Sequence, residues 1–120
     1  MDRRFDDQMR VTFPASSGFA AVGRVAAAGL AFRLGFDVAQ VESLRLAVEE
    51  ATTALSGSGS ITLTGSWNDS CLRLELVNPA IKLNKTQIRS LEQTMDPLET
   101  DRTVSPTGIT IQIGDLLDDC

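Results

Sequence analysis

Two periods of apolar and polar residues alternate along the chain, and the switches between them mark out its elements. Arg10-Val11-Thr12-Phe13-Pro14 alternates as a short strand with Val11 and Phe13 inward and Pro14 closing it, after a polar, loose stretch over residues 1–8. Ser16 or Ser17 can cap a helix that runs to about Leu34. In it Phe19, Val22, Val25, Leu30 and Phe32 are interspersed with Ala and Gly, small residues that let another element approach closely, so a buried helix is expected. Gly35 supplies the left-handed residue that ends it, Phe36 folds back, and Asp37 with Gln40 forms a capping box for the next helix.

In that second helix Val41, Leu44, Val48, Ala51 and Leu55 form one apolar face. Glu50 falls on roughly the opposite side with Leu46, Ala47 and Ala54, while Glu42, Arg45 and Glu49 make a separate polar strip. Ser56-Gly57-Ser58-Gly59-Ser60 is a connector too short to separate domains. A hairpin follows with its turn at Trp67-Asn68-Asp69, Ile61, Leu63, Leu72, Leu74 and Leu76 facing the helices, and Arg73 and Glu75 facing water. Asn78-Pro79 ends its second strand as a turn. A helix is predicted from about Thr86 to Met95 with Ile88, Leu91 and Met95 on one side, ended by Asp96-Pro97, and Leu98 to Val104 reads as a polar loop. Ser105-Pro106-Thr107-Gly108 combines an N-cap with proline at the first helical position. Ile109, Ile113, Leu116, Leu117 and Cys120 then follow helical spacing; Ile109 to Ile113 alone fits a strand equally well, and the capping sequence favours a helix.

Composition narrows the class. The 120 residues are expected to form one domain, 1–120, with 42% hydrophobic and 22% charged residues, ordinary for a globular protein. Eleven basic against sixteen acidic residues give a net charge of -5, and no basic cluster exceeds Arg3-Arg4, which disfavours nucleic acid or an anionic membrane and suits a partner with a basic surface. The absence of histidine sets aside imidazole-dependent triads and zinc sites. Cys71 and Cys120 make no metal-ligand spacing, so reduced thiols and a cytoplasmic location are expected. Arg24 and Arg33 interrupt the apolar run from Phe19 to Phe36, which argues against a membrane span, and no signal-type hydrophobic core precedes Pro14.

Leu46-Ala47-Val48-Glu49-Glu50-Ala51-Thr52-Thr53 resembles the first nucleotide motif of the GHKL (Bergerat-fold) ATP-binding superfamily, in the branch of bacterial anti-sigma-factor serine kinases. The corner Leu34-Gly35-Phe36-Asp37 is similar to the one that precedes this motif in that branch. The resemblance implies an α+β two-layer sandwich, a small, mostly antiparallel sheet covered on one face by helices, here lacking the family's final pair of strands. It implies Glu50 as a general base or orienting group, position 54 as the magnesium ligand, Asn78 at the adenine, and Thr107 and Gly108 at the start of a phosphate-binding helix. Residues Leu98 to Val104 take the place of the ATP lid.

Three departures bear on ATP and Mg2+. Ala54 stands where the family has asparagine and offers no side-chain oxygen, although Mg2+ requires hard oxygen ligands. Asn78-Pro79-Ala80 replaces an aspartate-glycine motif, and Pro106 replaces a glycine and lacks an N–H. The leading expectation is an anti-sigma-type regulator acting through protein contacts with a sigma factor or an anti-sigma antagonist, as a homodimer and with an eroded ATP site. The alternatives are an active ATP-dependent serine protein kinase using Glu50, in which case a substitute metal ligand is needed, and an α+β assembly module without a signalling role. On residue type alone, Glu50 also reads as a solvated helix residue and Asn78 as a plain strand-ending turn.

Overall fold

The computed structural model describes residues 7–68, 71–93 and 101–114. In chain order they form β1 (Asp7–Pro14), α1 (Ala20–Arg33), α2 (Val38–Ala54), β2 (Ser60–Trp67), β3 (Cys71–Val77), α3 (Lys85–Gln93), β4 (Asp101–Ser105) and β5 (Gly108–Gly114). The strands make one antiparallel sheet in the order β1-β2-β3-β5-β4. With the helices it forms the expected α+β two-layer arrangement.

The alternation of the central strands decides which face is covered. Ile61, Leu63, Leu72, Leu74 and Leu76 point into the helix layer as anticipated and are fully buried, and Ile109, Ile111 and Ile113 of β5 join them. The opposite face is polar, with Thr12 and Thr62 paired through their hydroxyls at 3.0 Å and Arg73 Nε donating to Gln112 Oε1 at 2.8 Å. Helix α1 approaches the sheet through Gly23, Ala27 and Ala31. It therefore buries small residues and exposes large ones, which corrects the expectation of a buried helix: Phe19, Val22, Val25 and Phe32 are exposed. It is preceded by a 3-10 turn over Ser17–Phe19, and neither serine caps the α-helix, whose N-cap is Phe19.

The α1–α2 corner is built as the sequence reads. Gly35, at φ +91°, donates to Phe32 O, and Phe36 N donates to Ala31 O at 3.2 Å, a Schellman closure. Asp37 Oδ1 accepts from Gln40 N at 2.8 Å while Gln40 Oε1 accepts from Asp37 N at 3.0 Å, the reciprocal capping box. Leu44, Val48, Ala51 and Leu55 face the core. Ala47 is buried as well, so Glu50 lies on a half-buried flank of α2 and not opposite the core, because α3 and β4 widen the covered arc.

The C-terminal third differs from the helix that was expected. Pro106 and Thr107 form a two-residue connection between β4 and β5, with Ser105 opposite Gly108. Tertiary burial decides this. As a strand, Ile109, Ile111 and Ile113 all point inward beside β3, whereas a helix would turn Ile111 away from the other two. A hairpin thus stands where a loop and a helix were expected, and residues 101–104, placed in a lid, are β4. The rest of that lid, with Asp69, Met95, Asp96-Pro97, Leu116, Leu117 and Cys120, lies outside the described residues.

Cys71 is buried at the head of β3 and disulfide-bonded, not the reduced thiol expected from cysteine count. Among the described residues no helix is long and apolar enough to cross a membrane.

Candidate functional site

Glu50 and Ala54 project from the same flank of α2 and line an open groove with Leu46, Glu49, Thr53 and Leu91 of α3. Its volume is about 370 Å³. Beneath it Arg102, from β4, donates through Nη1 to Glu50 Oε1 at 2.6 Å and to the backbone oxygen of Leu91 at 3.1 Å. One guanidinium thereby ties α2, α3 and β4 together. The Arg102 side chain is 9% exposed and that of Glu50 33%, so the pair is largely withdrawn from water. The carboxylate is thereby engaged as one half of an ion pair that holds the framework.

On the outer strip of α2, Arg45 bonds Glu42 at 2.6 Å and Glu49 at 3.3 Å, and Arg24 reaches across from α1 to the same Glu49 oxygen at 3.5 Å. This is the polar strip read from the sequence. The hydrogen bond from Arg45 holds the Glu42 carboxyl below its ordinary range, and the same contact raises Arg45.

Asn78, Thr107 and Gly108 sit together elsewhere, where β3 meets the β4–β5 turn. Asn78 is fully buried. Its Nδ2 donates to Leu55 O and Ser58 O, both at 2.9 Å, its Oδ1 accepts from Ala80 N at 3.0 Å, and its backbone N donates to Thr107 O at 2.9 Å. Each side-chain polar group is therefore engaged in fixing the end of α2 to the end of β3.

Thr107 and Gly108 occupy a strand turn, not the start of a helix, so they do not present the convergent N–H groups that a helix N-terminus offers a phosphate. The turn offers carbonyls, already taken: Pro106 O accepts from Leu83 N at 2.7 Å, and Thr107 O from Asn78 N. Glycine at 108 has an internal reason, since a Cβ there would lie 2.9 Å from Leu76 O.

The structure thus brings Glu50 and Ala54 into one groove and Asn78, Thr107 and Gly108 into a separate structural cluster. Arg102 is the residue that sequence reading missed, and the alternation Arg102-Thr103-Val104 was the signal available for it. Among the described residues no group of three or more His, Cys, Asp or Glu side chains is placed to hold a metal ion. No family model matches the chain, and no curated protein matches it.

Proposed function

We propose that this chain is an anti-sigma-type regulator descended from the GHKL scaffold, working by protein contact and not by phosphoryl transfer. The succession strand, two helices, hairpin, helix supports the ancestry, being the order that the resemblance implies, and a strand turn stands at Ser105–Gly108 where the resemblance implies a phosphate-binding helix. The observation that carries the functional reading is the outward arc of α1. Ala21, Val22, Val25, Gly29 and Phe32 recur there at helical spacing without a charged side chain, and Val25 and Phe32 are 65% and 72% exposed. A continuous apolar strip of this kind on a small domain marks a contact surface.

Gly29 strengthens the reading. A glycine inside a helix costs about 1 kcal/mol relative to alanine. Among the described residues nothing lies within 4 Å of a Cβ placed at Gly29, so none of them requires glycine there. A second helix packed closely from outside would. The partners assigned to this strip are a sigma factor or an anti-sigma antagonist, with homodimerisation through the same region, and neither ATP nor Mg2+ is needed for binding. Cytoplasmic residence belongs to this reading. The Cys71 disulfide is uncommon in that compartment, so thiol labelling of the protein in its native cell tests the location separately.

The decisive experiment couples affinity capture from the native cell with calorimetry. Wild type is expected to recover a sigma factor or an antagonist, Val25→Glu to lose it while keeping a folded spectrum, and millimolar Mg-ATP to produce no heat. Capture of neither class, or capture that survives Val25→Glu, overturns the reading.

A further inference from the structure

The groove beside Glu50 is where the family resemblance would put a nucleotide, yet its described lining residues offer a phosphate no cation. Its apolar lining is Leu46, Ala54 and Leu91, and its polar lining is Glu49, Glu50 and the Thr53 hydroxyl, with no cation among the described lining residues. The arginines that approach these carboxylates all do so at one oxygen: Arg24 and Arg45 at Glu49 Oε1, Arg102 at Glu50 Oε1. Glu49 Oε2 and Glu50 Oε2 accept no hydrogen bond from the described residues, and an ionised carboxylate has capacity for several. A phosphate brought here would meet two carboxylates. A long side chain with an apolar stem and a cationic head would find both of its halves matched.

We infer that this groove receives an arginine or lysine side chain of a protein partner, its methylenes on Leu46, Ala54 and Leu91 and its head at the open oxygens of Glu49 and Glu50. The inference rests on the protein-contact reading above but concerns α2 and α3 and not the α1 strip. The net charge of -5 favours the same kind of partner.

The test uses the intact protein, isotope-labelled for amide NMR, and a short blocked alanine-based helix carrying one leucine and one arginine a turn apart. Shifts are expected at Leu46, Glu49, Glu50, Thr53, Ala54 and Leu91. Glutamate in place of the arginine should abolish them, and Glu49→Gln should weaken binding about tenfold, the loss of one charge-assisted hydrogen bond. Thr53→Lys, on an exposed position, should block the groove without disturbing the rest of the spectrum. The assignment is overturned if the glutamate peptide binds equally, if Mg-ATP shifts these amides, if shifts fall on other elements, or if none appears at millimolar peptide. Because the probe is not the cellular partner, its failure removes the groove assignment alone, whereas Val25→Glu is expected to leave peptide binding intact.

Discussion

Arg102 Nη1 lies 2.6 Å from Glu50 Oε1, across 52 residues of sequence, and makes the most reactive-looking carboxylate of the chain part of its framework. Breaking one side of a buried pair leaves the other charge uncompensated. Arg102→Ala is therefore expected to destabilise the fold by about 2 kcal/mol in urea unfolding, below the fully buried range because Glu50 keeps some contact with water. Glu50→Gln retains an oxygen acceptor for Arg102 and is expected to cost less, about 1 kcal/mol. If the two changes prove additive in a double-mutant cycle, the pair is not coupled and Glu50 is available for chemistry.

Asn78 provides a sharper discrimination between site and scaffold. The family resemblance implies that aspartate at this position would restore an adenine acceptor. The hydrogen bonds imply the reverse, because both Nδ2 hydrogens donate to the carbonyls of Leu55 and Ser58, and a carboxylate there would face two acceptors with nothing to give. Asn78→Asp is expected to destabilise by about 3 kcal/mol or more at neutral pH, exceeding Asn78→Ala, and to confer no affinity for ATP. Chemical denaturation and calorimetry read the two parts independently.

These two residues also mark how far the sequence was legible. Local signals were read well where local physics decides. The Gly35 closure, the Asp37–Gln40 box and the Ile61–Leu76 hairpin each rest on residues close in sequence, and all three are present. The β4–β5 hairpin was missed because Ser-Pro-Thr-Gly serves a helix start and a strand turn equally well. Only the space beside β3, which accepts three isoleucines from one face, resolves it. Arg102 went unseen for the same reason, since its partner becomes visible only once β4 is placed. The exposed face of α1 was misread because small residues buried the helix where large ones were expected to.

The outer strip of α2 yields a pH expectation. Glu42 is held below its ordinary value of 4.5 by the hydrogen bond from Arg45, so it binds protons more weakly in the folded chain than in the unfolded one. Its contribution is therefore present above the ordinary carboxylate pKa and is lost as pH falls through the depressed value. Carboxyl NMR is expected to show Glu42 titrating below that ordinary range, and Arg45→Ala to return it there. A Glu42 titration unchanged by Arg45→Ala would show that the ion pair is not formed in solution.

The last expectation concerns the metal ligand that the family resemblance implies at position 54. Ala54→Asn places an amide oxygen one turn from Glu50 in the same groove, the arrangement that the family resemblance associates with magnesium. Two features argue that it will not suffice. Glu50 Oε1 is held by Arg102, and the turn at Pro106-Thr107 presents occupied carbonyls where a triphosphate needs N–H groups. Ala54→Asn is therefore expected to show no magnesium-dependent ATP heat at millimolar nucleotide, and only about 0.5 kcal/mol of lost stability from weaker helix propensity. Combining it with Arg102→Ala frees Glu50 but adds no phosphate cradle, so the double variant should remain silent as well. A magnesium-dependent isotherm from the single variant would mean that the groove still recognises nucleotide and that one residue separates it from an active site.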